Sequence, residues 1–300
     1  MRPSRRWLIC AALAATTGAL AQHHAPRKAE SLAVAAAVAP DGALWIAGLD
    51  ESGRLFVQTS ADGSEQFAPR RLLDLQGDVV AAEGEFRPSL VFGPQGRAVL
   101  AYTRPRQKHH TGEVRLLRSN DGGAQFGAPI TVHTDRQVLG HELQALGFDG
   151  QGQLHVAWID RRDSEASRQK GGSRDDYRGA GVYHTVSTDG GATFRPETRL
   201  AEHSCECCRI AAAPAPDGKV ALMWRHVYDG NERDHAFVLL GGAAAPVTAR
   251  ATTDRWAIEA CPHHGPGLAA AKDGGYHAVW FGQRTSSTAP AGLPAASRRP

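Results

Sequence analysis

An eight-residue turn motif that occurs three times constrains the fold of this chain more than any other feature. The motif reads Ser-x-Asp-x-Gly-x-x-Phe at residues 119–126 and 187–194, and a variant at 60–67 has Ser64 in place of the glycine. In such turns Asp and Ser side chains accept backbone hydrogen bonds, Gly adopts positive φ, and the aromatic ring fills the adjoining sheet. Three copies in phase with a longer repeat predict a chain built from repeated β-sheet units.

The longer repeat has five units, of which the last is short. Each unit contains short strands rich in Val, Leu and aromatic residues between Gly and Asp turns, which is typical of propeller blades. The units span residues 31–78, 83–136, 139–203, 205–256 and 261–284. We therefore predict an all-β propeller domain over 31–284 with about five blades and about eighteen strands, incomplete at the C-terminal side. We expect residues 285–300 to be disordered, and Trp158, Trp224 and Trp280 to pack between blades.

The first 21 residues have the pattern of a cleaved signal peptide. A basic start is followed by an apolar run from Trp7 to Leu20, and Ala19 and Ala21 supply the small residues before the cleavage point. The run is too short to span a bilayer, so we expect no transmembrane segment in the mature chain. We predict a periplasmic or secreted protein, exported by the Sec rather than the twin-arginine route.

Cleavage after Ala21 would also change the charge of the chain and expose a new N-terminus. Loss of the three signal arginines lowers the Lys+Arg count from 34 to 31, which equals the Asp+Glu count, so no nucleic-acid partner is expected. Residues 22–30 then form a flexible segment that begins Gln-His23-His24. A free amine, amide nitrogens and a histidine at the third position can bind Cu(II), so His23 and His24 are additional metal candidates.

Two cysteine motifs occupy equivalent positions in the last two units. Cys205-Glu-Cys207-Cys208 and Cys261-Pro-His263-His264 each precede an apolar run, an Asp-Gly turn and a strand that ends in Trp, at an offset of 56 residues. Thiolates and imidazoles are the ligands that Cu(I) and Zn(II) prefer. We predict that the protein binds a soft metal ion for capture or delivery. Copper is the preferred candidate and zinc is the second. The predicted ligands are Cys205, Cys207, Cys208, Cys261, His263 and His264.

The same alignment adds residues from the second and third units to this position. Glu85 and His141 align with Cys207, Glu142 aligns with Cys208, and Arg87 aligns with Arg209. We expect Glu85, His141 and Glu142 to be outer metal or ligand contacts.

The cysteines have other possible uses in an oxidising compartment. Two disulfides are one alternative, and one disulfide with a remaining Cys/His set is another. A vicinal Cys207–Cys208 bond would be strained, and a Cys205–Cys261 bond needs Cα atoms within about 7 Å. The sequence leaves these alternatives open.

The turn motifs and the two cysteine motifs together resemble the bacterial sialidase-like (BNR or Asp-box repeat) propellers. Within that family, the chain resembles the exo-α-sialidase-like branch with Cys-x-Cys-Cys and Cys-Pro-His-x-Gly-Pro. It implies a propeller of the six-bladed type, with first strands that line a central channel. It also implies that the Asp-boxes lie on the face opposite the starts of those strands.

The resemblance implies an alternative function, an exo-α-sialidase-like glycoside hydrolase acting on carboxylated sugars. Arg87 and Arg209 would bind the substrate carboxylate in that case, and no catalytic residue is assigned, because the sequence contains no recognisable Tyr-Glu pair. A third alternative is a non-catalytic binding scaffold with disulfides. We favour the non-catalytic metal-binding protein, with a metal ion, an anionic small molecule or glycan, and a partner metalloprotein as its partners.

Overall fold

The computed structural model describes residues 33–63, 65–242 and 244–283. The predicted signal peptide, the segment 22–30 with His23 and His24, and the tail at 285–300 lie outside these ranges. No helix within the described ranges is long and apolar enough to cross a membrane.

The described residues form four four-stranded antiparallel sheets and one two-stranded sheet. The first sheet contains β1 (Val34–Val38), β2 (Leu44–Leu49), β3 (Leu55–Ser60) and β4 (Arg71–Leu72), and the second contains β5 (Ser89–Phe92), β6 (Ala98–Pro105), β7 (Gly112–Ser119) and β8 (Ile130–Thr131). The third contains β9 (His141–Phe148), β10 (Leu154–Asp160), β11 (Ala180–Ser187) and β12 (Thr198–Ser204), and the fourth contains β13 (Ala211–Pro214), β14 (Val220–Arg225), β15 (His235–Leu240) and β16 (Ala249–Arg250). The last contains β17 (Gly267–Ala270) and β18 (Tyr276–Val279).

The second strand of the third and fourth sheets is buried along its whole length, because neighbouring sheets cover both of its faces. β10 reads Leu-His-Val-Ala-Trp-Ile-Asp and β14 reads Val-Ala-Leu-Met-Trp-Arg, with every residue buried. Trp158 lies in the core between the second and third sheets, and Trp224 in the core between the third and fourth. These positions confirm the predicted packing between blades. Trp280 is half-buried, and its Nε1 donates a hydrogen bond to Asp254.

The order of contacts between sheets is that of a propeller. The first strands of successive sheets pack together in series, β1 with β5, β5 with β9, β9 with β13 and β13 with β17. Because neighbouring strands within each sheet are antiparallel, the starts of the first strands and the ends of the third strands lie on opposite faces. We call these the cysteine face, which carries 205–208 and 261–265, and the Asp-box face, which carries 119–126 and 187–194.

The prediction of an all-β propeller is confirmed, and the described ranges contain eighteen strands, as expected. The sequence did not indicate two short helices, the 3-10 helix Asp229–Asn231 and α1 (Arg162–Gln169). The second lies in the charged insertion after β10. It buries no residue, and its acids Asp163 and Glu165 lie in the first turn, where they interact favourably with the helix dipole.

Candidate functional site

The cysteine face brings the two cysteine motifs together through the ends of the third and fourth sheets. Cys205 directly follows β12, and its backbone N–H donates to the carbonyl of Arg225 at the end of β14, 3.0 Å away. The backbone contact between the end of β12 and the end of β14 is thereby extended by one residue, to Cys205. It fixes the start of the turn that carries Cys207 and Cys208.

The sulfurs of the four cysteines within the described ranges lie in one cluster, which we call the cysteine cluster (Cys205, Cys207, Cys208 and Cys261). The Cys205 sulfur is 3.5 Å from that of Cys207, 2.8 Å from that of Cys208 and 3.9 Å from that of Cys261. The sulfurs of Cys207 and Cys208 are 3.9 Å apart. Among the described residues, the group of three or more potential metal ligands with atoms within 4.8 Å of one another is Cys205, Cys207 and Cys261.

One pair in the cluster is oxidised. Cys207 and Cys261 form a disulfide with Cα atoms 6.8 Å apart, and Cys205 and Cys208 remain thiols. Both thiols are buried at 1% exposure, whereas the disulfide partners are half-buried. The arrangement therefore has one disulfide and a remaining pair of thiols. The repeat alignment did not indicate the Cys207–Cys261 pairing, because these residues occupy different positions in their units.

The electrostatic environment distinguishes the two thiols. A hydrogen bond from Cys208 lowers the pKa of Cys205 to about 7, with help from the nearby Arg233 and Arg225 side chains. The same hydrogen bond, together with burial, raises the pKa of Cys208. The negative charge of this pair therefore belongs on the Cys205 sulfur, and the proton belongs on Cys208.

The two predicted histidine ligands lie beside the cluster and are exposed. His263 adopts φ 53°, a left-handed conformation that its aligned partner Cys207 does not share. Neither imidazole belongs to the metal-ligand group of Cys205, Cys207 and Cys261. The His264 backbone does contact the cluster, because its N–H donates to the Cys208 sulfur. The structure therefore brings together four of the six predicted primary ligands, all of them cysteines.

Glu85 and Arg209, predicted from the alignment, meet across the propeller. Arg209 Nη1 donates to Glu85 Oε2 at 2.6 Å, and the backbone N–H of Gly265 donates to the same oxygen at 2.7 Å. Arg87 is close enough to Arg209 for the two charges to interact; burial first, and then Arg209, lower the pKa of Arg87. Arg87 Nε is buried without a hydrogen-bond partner. Residues from the second, fourth and fifth units thus meet here.

His141 and Glu142 lie at the start of β9, and both are buried. His141 Nδ1 hydrogen-bonds Asp160 at 2.9 Å, and its ring packs 4.0 Å from that of His133. Burial first, and then the charge of Glu206, raise the pKa of Glu142, although Arg161 opposes the shift. Neither residue belongs to the metal-ligand group.

Arg225 contributes to the site through a role that the sequence did not indicate. It is 1% exposed, and its Nη2 donates to the carbonyls of His264 at 3.0 Å and Phe281 at 2.6 Å. Its Nη1 donates to the carbonyl of Arg233 at 2.8 Å. Arg225 therefore attaches the last sheet to the fourth beside the cluster. Its position directly after the buried Trp224, at the end of an apolar strand, was the available signal.

A polar cavity of about 1030 Å³ opens beside the cluster. Its walls come from the insertion after β10, the loop after β14 and the segment before β17, and Cys261 is part of them. The lining carries five arginines and three acids, which are Arg161, Arg168, Arg174, Arg178, Arg233, Asp175, Glu206 and Glu259. The half-buried disulfide is therefore adjacent to a volume large enough for a small molecule.

The comparisons with known proteins identify the fold. No protein-family model matches the chain, and no curated protein matches it.

Among solved structures, a protein of unknown function from Dyadobacter fermentans is similar at TM-score 0.58 and 16% identity, over 87% of this chain and 72% of that one. The α-L-arabinanase of Penicillium chrysogenum with arabinobiose is similar at TM-score 0.53 and 13% identity, over 85% and 78% of the two chains. The GH93 α-L-arabinofuranosidase of Fusarium graminearum is similar at TM-score 0.56 and 11% identity, over 83% and 73%. Together with the sheets and the Asp-boxes, these similarities show a sialidase-like β-propeller fold.

Proposed function

We propose that the cysteine cluster binds a soft metal ion when its four sulfurs are reduced. Copper is the preferred candidate and zinc is the second. The observation that carries this proposal is the convergence of four sulfurs from two neighbouring units. A tetrahedral ion with metal–sulfur bonds of about 2.3 Å needs sulfurs about 3.8 Å apart. Three sulfur pairs lie at 3.5, 3.9 and 3.9 Å, close to that value.

We prefer copper to zinc because the cluster offers only sulfur ligands and because two arginine side chains lie near it. Thiolate-rich sites favour the softer ion, and the cluster offers sulfur alone. Arg225 and Arg233 lie near Cys205 and would offset part of the negative charge of several thiolates. His263 and His264 are next to the cluster in the chain, and we retain them as ligands that a local change of the 263–264 backbone would bring in. His23 and His24 remain a separate Cu(II) candidate.

The test is titration of reduced, metal-free protein with Cu(I) and Zn(II), followed by metal analysis. Wild-type protein should retain one ion per chain, and Cys205→Ser and Cys207→Ser should each lower retention at least tenfold. Glu202→Gln, an exposed change on β12, is the matched control and should bind like wild type. Equal retention by wild type and both cysteine variants would overturn the proposal. His263→Ala measures the imidazole contribution separately.

A second candidate function is glycoside hydrolysis, and the comparisons favour it over metal binding. Two of the similar solved structures are named for action on arabinose-containing sugars. In this chain Arg87 and Arg209 lie together, and Arg87 Nε is buried without a partner, so an anionic group could accept its hydrogen bond. Turnover of a fluorogenic sialoside or α-L-arabinofuranoside, lost in Arg87→Ala, would support hydrolysis. No turnover of either by wild type would exclude these substrates.

The remaining expectations belong to the same proposal. We infer export to the periplasm or the exterior, and membership of the Cys-x-Cys-Cys branch of the sialidase-like propellers. A partner metalloprotein would donate or receive the ion. The scaffold alternative expects every cysteine to be oxidised, whereas Cys205 and Cys208 are thiols. Counting thiols in unfolded, unreduced protein distinguishes the metal-binding protein from the oxidised scaffold, because the scaffold predicts no free thiol.

A further inference from the structure

We propose that the cysteine cluster is an internal dithiol–disulfide relay, in which the buried pair Cys205/Cys208 reduces the cavity-side disulfide Cys207–Cys261. This activity goes beyond metal binding and needs no metal. It rests on the positions of the four sulfurs and on the different exposure of the two pairs.

The cluster has two layers. The inner layer is the thiol pair Cys205 and Cys208, each 1% exposed. The outer layer is the disulfide, whose residues are half-buried and whose Cys261 lines the cavity. The two thiols are thus shielded from solvent, and they contact a disulfide that a ligand in the cavity can reach.

The first step is attack of the Cys205 sulfur on the Cys207 sulfur, 3.5 Å away. A Cys205–Cys207 bond forms, the Cys207–Cys261 bond breaks, and its electron pair stays on the Cys261 sulfur, which takes the proton that Cys205 gave up. Cys205 is the internal nucleophile because its sulfur contacts the other three.

The second step is attack of the Cys208 sulfur on the Cys205 sulfur, 2.8 Å away. A Cys205–Cys208 bond forms, the Cys205–Cys207 bond breaks, and Cys207 takes the electron pair and the proton lost by Cys208. One disulfide and two thiols exist before and after the two steps, so no external oxidant or reductant is required. Cys205 and Cys208 have the Cys-x-x-Cys spacing, which allows such a disulfide.

The result is transfer of both thiols from the interior to the cavity side. A thiol-reactive ligand that enters the cavity would then meet Cys261 in the cavity wall, with Cys207 beside it. The surrounding arginines favour an approaching group that carries negative charge.

Differential alkylation with peptide mapping tests the relay. Folded protein in excess chelator is exposed to iodoacetamide, quenched, unfolded without reductant and labelled with N-ethylmaleimide. In wild type, iodoacetamide should label Cys207 and Cys261, and Cys205 and Cys208 should be recovered as a disulfide. Cys208→Ser should stop after the first step and label Cys261 alone. Cys205→Ser should lower label at both outer cysteines at least tenfold.

Glu202→Gln is the control and should label like wild type. The proposal is overturned if wild type keeps the Cys207–Cys261 disulfide and carries N-ethylmaleimide on Cys205 and Cys208. Outer labelling that persists in Cys205→Ser also overturns it. The wild-type pattern decides the question even if a variant fails to fold. Because chelator is present, the outcome is independent of whether the cluster binds metal.

Discussion

The Asp-box face and the cysteine face derive from the same repeat but are built in different ways. On the Asp-box face, Ser119 Oγ accepts the N–H of Gly123 at 2.9 Å, and Ser187 Oγ accepts that of Gly191 at 2.7 Å. Each bond spans four residues. On the cysteine face, Cys207 and Cys261 are 54 residues apart in sequence, and Glu85 and Gly265 are 180 apart.

The difference explains which face the sequence describes well. A turn whose bonds close within one motif depends little on the neighbouring blades, so the second and third Asp-boxes share the Ser Oγ–Gly N–H bond. A face whose bonds join different blades can hold different residues in each unit. That freedom allows the cysteine face to carry a chemical site, and the Asp-box face remains structural.

The largest expected effect is from Gly265→Ala. An added Cβ would clash with the Arg209 backbone, including its N at 2.8 Å, so we expect a loss of about 3 kcal/mol in the free energy of unfolding. Gly127→Ala, directly after the second Asp-box, is the control, because its Cβ would meet only the Arg118 carbonyl at 3.7 Å. We expect that change to stay within about 0.5 kcal/mol in urea unfolding. Equal losses in the two variants would contradict the contrast between the faces.

Glu85→Ala should have the next largest effect, since it leaves Arg209 and the Gly265 N–H without their shared acceptor. We expect a loss of about 2–3 kcal/mol in urea unfolding. Glu202→Ala removes an exposed carboxylate that pairs with Arg199 and should change stability by less than about 0.5 kcal/mol. A Glu85 loss as small as the Glu202 loss would show that the cross-propeller contact contributes little.

The two faces should also respond to different ranges of pH. On the cysteine face, burial first, and then His203 and Arg178, lower the pKa of His226 from 6.5 to about 4. His226 is then protonated in the unfolded chain and neutral in the folded one between these values. Its stabilisation is therefore complete above pH 6.5 and is lost as the pH falls towards 4.

On the Asp-box face, burial acts to raise the pKa of Asp189, but hydrogen bonds from Thr193 and Ser187 lower it to about 2. Its stabilisation is present above pH 3.8 and is lost only below that value. Urea unfolding at pH 7.5 and 4.5 checks the difference. Wild type should lose about 2–3 kcal/mol more than His226→Gln over this range. Parallel losses would mean that His226 does not titrate as described.

The smallest expected effects are on the Asp-box face itself. Ser119→Ala and Ser187→Ala should each cost about 1 kcal/mol, because each removes the hydroxyl that accepts two backbone N–H groups of its turn and donates to the Asp carboxylate. The two costs should agree within about 0.5 kcal/mol and add in the double variant. Unequal losses in the free energy of unfolding, measured with urea, would show that the contribution of each Asp-box depends on the blade that carries it.

The alignment of the units indicated which candidate residues lie on one face, but not all of the contacts that they make there. The alignment of the units indicated the cysteine face and also Glu85 and Arg209, which the structure joins. It failed for His263, whose positive φ breaks the equivalence with Cys207 that the alignment assumed. It also gave no indication of the role of Arg225, whose partners are backbone carbonyls in other segments.

The sequence by itself determined the blades, the three Asp-boxes and the face on which the cysteines lie. These follow from residue patterns that act within a single turn or strand, where local geometry decides the hydrogen bonds. Only the tertiary structure decided that Cys207 pairs with Cys261, that Cys205 and Cys208 remain buried thiols, and that the two histidines stay exposed. Those outcomes depend on how neighbouring blades pack, because a sulfur–sulfur contact between blades is set by backbone positions that no single repeat contains.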